Sequence, residues 1–256
     1  MALMSSVSFA AAGETRQGMV TVGPGAFHSV TPEGEGDDEI NIPIFLLDRR
    51  PVTNRDFLEF TNANPEWRRG NAIRLFADTG YLSHWASATT LGPDVAAAQP
   101  VTRVSWFAAT AYCEANDARL PRWYEWEFAA AADETRADAR DDPAWRQQIL
   151  NWYGTPGDKP LSSVAQRAAN FYGVYDLHGL VWEWVEDYNA LLVAADNREQ
   201  GGADKVQFCG AGALSMEQKE NYAILMRVAM LSSLEAANTT RNLGFRCAAD
   251  VPEDAE

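Results

Sequence analysis

Alternating apolar and polar side chains predict several short β-strands. The clearest case lies at residues 181–185, where Trp182 and Trp184 stand on either side of Glu183 and valines extend the run at both ends. A period of two is typical of a strand with one buried face. Apolar runs of similar length predict further strands at residues 19–22, 42–47, 100–104, 206–210, 223–230 and 243–248.

Helices are predicted where a capping residue precedes apolar positions at helical spacing. Thr53 is followed three residues later by Asp56, a variant of the capping box, and this pair predicts a helix that ends near residue 64. Other start signals predict helices at residues 106–116 behind Ser105, from Pro121 onwards, and over one or two turns at residues 143–150.

Irregular chain is expected to outweigh this regular structure. Residues 67–100 and 151–170 show no sustained period and contain several Gly and Pro residues. There is no internal repeat and no linker-like stretch, which predicts a single domain over residues 19–250. Residues 1–18 are expected to be a flexible N-terminus or the remnant of a signal peptide, and residues 251–256 an acidic tail.

The composition narrows the possible partners. The net charge of −15 disfavours binding to nucleic acid and to anionic membrane surfaces. It suits cationic partners or hard metal ions, although solubility alone also explains it. No run approaches the roughly 20 apolar residues of a membrane helix, so no membrane insertion is expected. The nine tryptophans fit a protein in which large rings fill the space between loops.

Three separated motifs resemble one family. They are Pro100-Val-Thr-Arg-Val-Ser-Trp continuing to Arg119-Leu-Pro-Arg-Trp-Tyr-Glu-Trp-Glu-Phe, then Tyr175-Asp-Leu-His-Gly-Leu-Val-Trp-Glu-Trp184, and finally Asn242-Leu-Gly-Phe-Arg-Cys247. Together they resemble the formylglycine-generating enzyme (sulfatase-modifying factor) family over nearly the whole chain. The resemblance implies an α+β fold of the complex C-type-lectin-like kind, with little regular secondary structure.

The resemblance does not extend to the family's chemistry. Its enzymes oxidise a substrate cysteine with two cysteines that bind copper, and counting back from Cys247 places their equivalents near Gln218 and Ala223. Soft Cu(I) requires thiolates, so formylglycine-generating activity is expected to be absent. The run Phe208-Cys-Gly-Ala-Gly-Ala and the tripeptide His178-Gly-Leu resemble a branch that serves as accessory proteins to copper nitrite reductases and related periplasmic copper systems.

The three cysteines receive separate assignments. Cys113 and Cys247 match family positions that form a structural disulfide, with two buried thiols in a reducing cell as the alternative. Cys209 is then a free thiol, which is either a buried small hydrophobe or a copper ligand together with His178 or Met216. The disulfide presumes export, so a periplasmic or secreted location is expected, and a cytoplasmic one stays open.

The resemblance also implies a calcium site. Asn151 and Trp152 match its start, and Asp158 is the nearest substitute for its acidic ligand. Leu180 stands where a second calcium site has Asn, which predicts that this second site is lost. His178 is one of three histidines in the chain, and a structural hydrogen-bonded histidine is the alternative to copper binding.

Two functional hypotheses follow. The first is a non-catalytic accessory or binding protein whose irregular loops recognise a protein partner or a small ligand. The second is a divergent copper-dependent oxidoreductase or metal-handling protein that uses Cys209 and His178. Four carboxylates in the aromatic motifs are expected to bond backbone groups or arginines such as Arg122 and Arg246 rather than to perform acid–base catalysis: Glu125, Glu127, Glu183 and Glu186.

Overall fold

Seven short strands and five α-helices form the regular structure of the described residues, which are 18–29, 39–154, 160–189 and 222–251 of a computed structural model. The strands are β1 (Met19–Val22), β2 (Gly25–His28), β3 (Glu39–Ile42), β4 (Phe45–Asp48), β5 (Trp182–Glu183), β6 (Leu243–Gly244) and β7 (Ala248–Asp250). The helices are α1 (Asn54–Ala63), α2 (Trp106–Ala115), α3 (Trp123–Ala130), α4 (Pro143–Tyr153) and α5 (Tyr222–Ser232), with a 3-10 turn at Pro65–Trp67. The mixture of helix and sheet confirms the predicted α+β class.

A three-stranded antiparallel sheet in the order β1-β4-β7 joins the two ends of the described chain. Met19 lies opposite Asp48 in this sheet, and Leu47 lies opposite Ala248. Phe45 and Leu47 alternate with half-buried neighbours and face the core. This pairing brings Cys247, the residue before β7, beside Asp48 at the end of β4.

The single strand predicted at residues 42–47 is wrong, because Pro43 and Ile44 divide it into β3 and β4. Each half pairs with a different strand, β3 with β2 and β4 with β1. Proline has no N–H to donate to a ladder, so the chain changes sheets at this point.

The predicted helix starts at Thr53 and Ser105 are confirmed. The side chain of Thr53 accepts from the Asp56 N–H, the Asp56 carboxylate accepts from the Thr53 N–H, and the Ser105 hydroxyl accepts from the Ala108 N–H. Phe57 and other inward side chains of α1 are buried. The helix predicted from Pro121 begins two residues later. None of the helices in the described ranges is long and apolar enough to cross a membrane.

Residues 223–230 were predicted as a strand and belong instead to the helix α5. An apolar run of this length does not separate strand from helix by its period. Ala, Leu and Met favour a helix, and the buried residues Val228 and Leu231 are spaced by three, as one helix face requires.

Three further strand predictions have different outcomes. Within residues 100–104, only Pro100 forms a β-bridge, with Thr53, so no strand is present there. The strand predicted at residues 243–248 is divided into β6 and the start of β7, which pair with different partners. The strand predicted at residues 206–210 lies outside the described residues.

Large aromatic side chains fill the core between the irregular segments, as the tryptophan content predicts. Trp85, Trp126 and Trp184 are each no more than 1% exposed. Their indole N–H groups donate to the Asn54 side chain at 3.1 Å, to Glu183 at 2.8 Å and to the Val104 carbonyl at 3.0 Å, respectively. Each buried donor therefore has an acceptor, which avoids the cost of an unsatisfied polar group.

Candidate functional site

The central aromatic stretch is held in place by the pairing of β5 with β6. The Trp182 N–H donates to the Asn242 carbonyl at 2.8 Å, and the Trp184 N–H donates to the Gly244 carbonyl at 3.0 Å. Gly244 is required here because a Cβ at this position would lie 2.6 Å from the Val101 carbonyl oxygen. This close backbone packing fixes Glu183 inside the core.

Glu183 and Arg246 form an ion pair without solvent contact, since both side chains are 0% exposed. Arg246 donates through Nε at 2.9 Å and through Nη2 at 2.8 Å to the two carboxylate oxygens. Trp126 donates to the same carboxylate, and Arg246 also donates to the backbone carbonyls of Asp48 and Tyr175. The pair thus connects β5, α3 and the segment between β6 and β7.

The other three carboxylates of the aromatic motifs are also held by protein groups. Glu125 accepts two hydrogen bonds from Arg119 at 2.7 Å each and one from the Arg122 backbone N–H. Glu127 accepts from the Ser29 hydroxyl at 2.6 Å, and Glu186 lies 3.4 Å from the Arg122 guanidinium. The expectation that these carboxylates bond backbone groups and arginines is confirmed for Glu125, Glu183 and Glu186.

His178 lies in a box of aromatic rings. Its ring is 5.8 Å from Trp126, 5.7 Å from Trp145 and 6.4 Å from Trp152, measured between centroids. Nε2 lies 2.8 Å from the Ala130 carbonyl oxygen. Burial lowers the pKa of His178 to about 4, so the imidazole is neutral at physiological pH. These contacts fit the structural alternative, and Cys209, the other half of the predicted copper pair, lies outside the described residues.

Arg227, the charged residue of α5, lies beside one of the rings that surround His178. Its guanidinium carbon lies 3.5 Å from the Trp126 ring centroid, and it donates to the Glu183 carbonyl. Arg227 follows Ala223 by about one turn of α5 along the chain. Gln218, the other position matched to the family's cysteines, lies outside the described residues.

The predicted calcium ligands fall at the end of α4. Asn151 accepts a hydrogen bond from the Gln147 side chain at 3.0 Å, and the Trp152 carbonyl accepts from the Gly154 N–H. The Arg167 guanidinium lies 4.4 Å from the Trp152 ring centroid, so a positive charge lies beside one of the two described residues of the predicted set. Asp158 lies outside the described residues.

The described residues supply few metal ligands in general. Ca²⁺ takes about 6–8 oxygen ligands, and the described part of the predicted set supplies one amide oxygen and one carbonyl oxygen. Within the described ranges, no group of three or more His, Cys, Asp or Glu side chains is arranged to hold a metal ion.

Cys113 and Cys247 are joined by a disulfide in the structure, with their Cα atoms 5.6 Å apart. Cys113 comes from α2, and Cys247 immediately precedes β7, so the bond ties the helix to the three-stranded sheet. Both residues are no more than 2% exposed. Cys209 and Met216 lie outside the described residues.

A cavity beside this disulfide was missed by the sequence analysis. It has a volume of about 390 Å³ and is lined by Asp48, Arg50, Asp56, Tyr112 and Cys247, among others. Burial raises the pKa of Asp48 to about 6. In the sequence, Asp48 is only the end of a strand before a proline, and nothing local indicates that it is enclosed.

A family model described as "Sulfatase-modifying factor enzyme 1-like domain" matches residues 5–251 of the chain. The inactive C-alpha-formylglycine-generating enzyme 2 of Mus musculus is 29% identical, over 88% of this chain and 81% of the mouse protein. The formylglycine-generating enzyme of Thermomonospora curvata is 27% identical, over 93% of this chain and 95% of that protein. The serine/threonine-protein kinase pkn1 of Chlamydia caviae is 29% identical over 91% of this chain, which spans only 38% of that kinase.

The solved structure of PvdO from Pseudomonas aeruginosa has a similar fold. Its TM-score is 0.50 at 18% sequence identity, and the superposition covers 91% of this chain and 94% of PvdO. At this identity the similarity concerns the fold alone. The predicted formylglycine-generating-enzyme type of α+β fold, with little regular secondary structure, is confirmed by the family model and by this structure.

Proposed function

Because the chain belongs to the sulfatase-modifying factor enzyme 1-like family, we propose that it is a non-catalytic member that acts outside the cytoplasm as an accessory or binding protein. The scaffold residues of the family motifs are retained in a tightly bonded core around Glu183 and Arg246. In this proposal, the chain lacks the pair of copper-binding cysteines and with it the oxidation of a substrate cysteine. The relative from Mus musculus that carries the word "inactive" in its name supports this reading by analogy.

The number of cysteines carries the proposal. The chain has three, and the structure pairs Cys113 with Cys247, which leaves Cys209 as the one remaining thiol. A copper ion held by two cysteine thiolates requires two free thiols in one chain. One thiol cannot form that site, whatever position it occupies.

The helix α5 gives independent support. Ala223, which stands where the count from Cys247 places a catalytic cysteine, has a methyl group that binds no metal. One turn further, the guanidinium of Arg227 lies over Trp126. A fixed positive charge at this point opposes the approach of a copper cation.

The accessory role rests on the exposed surface of the irregular segments. Ile73 and Leu75 are 64% and 74% exposed within the long segment that precedes α2. Large apolar side chains that stand out from irregular chain are suited to recognition of a partner. The resemblance of the His178-Gly-Leu tripeptide and the run around Cys209 to the nitrite reductase branch points to maturation of a copper or denitrification enzyme as the process served.

Incubation with a sulfatase-type cysteine peptide and Cu(I) is expected to give no aldehyde product, because a second thiolate is missing. The Thermomonospora curvata enzyme serves as the positive control under the same conditions. Metal analysis of the same samples is expected to find no stoichiometric copper, and calcium alone is compatible with the proposal. Peptide conversion would overturn it. Stoichiometric copper that disappears in Cys209→Ser would favour the copper-dependent alternative instead.

Deletion of the gene in its host is expected to lower the copper content of a copper-dependent periplasmic reductase without changing the amount of that enzyme. The measurement is the ratio of copper to polypeptide in the purified reductase. Complementation with the wild-type chain is expected to restore the ratio, and so is complementation with Cys209→Ser, since the proposal gives this thiol no catalytic part. An unchanged ratio in the deletion strain would contradict the accessory role in copper maturation.

A further inference from the structure

The cavity beside the disulfide is lined by both charged and apolar side chains. Asp48 lies at the end of β4, and its carboxylate accepts a hydrogen bond from the Cys247 N–H at 2.9 Å. Met19 and Val52 are buried apolar residues that also line the cavity. A cavity of about 390 Å³ has room for a small organic molecule.

Asp48 is a carboxylate without an ion-pair partner among the described residues. Among the described residues that line the cavity, Arg50 is the single cationic side chain, and Asp56 neutralises it at a distance of 2.7 Å. Burial raises the pKa of Asp48 to about 6, and the positive charges of Arg246 and Arg50 oppose this rise only in part. Above this pKa, the cavity therefore holds the negative charge of a half-buried carboxylate, which a cation would stabilise.

The end of α2 adds to the negative potential. Ala115, Asn116, Asp117 and Ala118 line the cavity where the helix ends. Cations are stabilised at helix C-termini, and the last turn of α2 contains no basic residue. Carbonyl groups in the last turn of α2 already accept from the Asn116 side chain and from the N–H groups of Asn116, Asp117 and Ala118, so what the helix end contributes to the cavity is negative potential.

The wall formed by Tyr112 is rigid. Its ring stacks on Phe57 at 5.8 Å and meets Phe60 and Phe245 edge-on at 5.4 Å and 5.3 Å. A fixed aromatic ring beside carboxylates suits a ligand that joins a cationic head to an apolar body.

We propose that this cavity binds a small organic primary ammonium ion with an apolar body, and that Asp48 receives the ammonium group. Because Asp48 already accepts from the Cys247 N–H, a single-point ammonium fits it better than the two-pronged guanidinium does. A metal ion is a poorer fit, since no cluster of three ligating side chains occurs in the described ranges. The inference is independent of the accessory role proposed above.

The test is calorimetric titration of the whole chain with phenethylamine, with 2-phenylethanol as the neutral molecule of the same shape. Saturable binding is expected for the amine, and binding of the alcohol is expected to be at least about tenfold weaker, because it carries no charge for Asp48. Equal binding of the two molecules, or no saturable binding of the amine, would overturn the proposal.

Asp48→Asn is expected to weaken amine binding at least about tenfold, since it keeps the shape and an acceptor for the Cys247 N–H but removes the charge. The control variant Glu66→Gln removes the same charge from an exposed position outside the cavity. Its affinity for the amine is expected to equal that of the wild type. Equal weakening in both variants would show that the amine follows the net charge of the protein alone, which contradicts a site at Asp48.

The affinity for the amine is expected to fall as the pH decreases through about 6, where Asp48 takes up a proton. The charged or titratable groups that act on Asp48 or line the cavity with it are Arg50, Asp56, Tyr112, Asp117 and Arg246. Constant affinity between neutral pH and about pH 5 would contradict the assignment.

The stability of Asp48→Asn shows whether a loss of binding reflects misfolding. Burial raises the folded pKa of Asp48 above its ordinary value of 3.8, so the contribution of this carboxyl to folding becomes less favourable as the pH rises from 3.8 to about 6. Asparagine does not ionise, so the variant has no such pH-dependent loss of stability. The variant is therefore expected to melt no lower than the wild type at neutral pH, and any advantage is expected to disappear near pH 3.8.

Discussion

Replacement of Glu183 by glutamine is expected to lower the free energy of unfolding by about 3–5 kcal/mol. Glu183 and Arg246 are both 0% exposed and 2.8 Å apart at their closest atoms. Glutamine keeps the size of the side chain but leaves the guanidinium of Arg246 buried without a counter-charge. The cost is the desolvation of that charge, which the retained hydrogen bonds to the Asp48 and Tyr175 carbonyls offset only in part.

The paired replacement Glu183→Leu with Arg246→Met separates the charge effect from packing. Removal of both partners of a buried ion pair is often far less damaging than removal of one. The double variant is therefore expected to lose less than the sum of the single variants, with a coupling of about 1–3 kcal/mol in a double-mutant cycle. Additive losses would mean that the two side chains do not act as a pair.

Glu186→Gln is the matched control, because it makes the same chemical change three residues further along the chain. Glu186 lies 3.4 Å from Arg122, and the two side chains are 42% and 54% exposed. Exposed pairs contribute about 0–1 kcal/mol, so this variant is expected to unfold at nearly the same urea concentration as the wild type. A loss in Glu183→Gln no larger than in Glu186→Gln would contradict the view that Glu183 and Arg246 anchor the core.

Features with short-range causes could be predicted from the sequence. The Thr53 cap and the Asp56 carboxylate stand three residues apart, and Ser105 bonds the Ala108 N–H, so these helix starts are visible locally. The strand predicted at residues 181–185 is confirmed only for Trp182–Glu183, and the expected single buried face is wrong, because Glu183, Trp184 and Val185 are all buried. Family motifs then supplied the fold, which local patterns alone do not determine.

Features that depend on distant partners could not be predicted. Residues 42–47 satisfy the pattern of one strand, and only the partner strands show that Pro43 lies at a change of sheet. The residues of α5 are apolar enough for a strand, and the burial of Val228 and Leu231 on one face shows that they form a helix. Tertiary contacts decided both cases where local propensity was weak.

The two candidate sites differ in how far the sequence predicts them. Bonding of Glu183 and of Arg246 within the structure was expected, because the aromatic residues that flank Glu183 resemble the structural core of the family. Asp48 was not recognised, because the group that holds its carboxylate, the Cys247 N–H, is 199 residues away in the chain. The cavity at Asp48 is formed by α2, β4 and the disulfide together, and no single segment contains a signal for it.

Removal of the disulfide by Cys113→Ala with Cys247→Ala is expected to lower the free energy of unfolding by about 5 kcal/mol. The two cysteines are 134 residues apart, and in the chain-entropy model a closed loop of this length restricts the unfolded chain by about that amount. Both alanines also leave small voids, since both cysteines are buried. Urea unfolding is the measurement, and reduction of the wild type is expected to reproduce most of the loss.

Cys209→Ala is the control, because it removes a thiol and leaves the pair of Cys113 and Cys247 intact; its unfolding midpoint is expected to be shifted far less. Peptide mapping without reduction is expected to recover the linked peptides from protein taken from its native compartment, with Cys209 alone open to alkylation. A disulfide between buried cysteines persists only where the surroundings are oxidising, so this map also tests export. Alkylation of all three cysteines in native material would contradict both the stabilising disulfide and a periplasmic or secreted location.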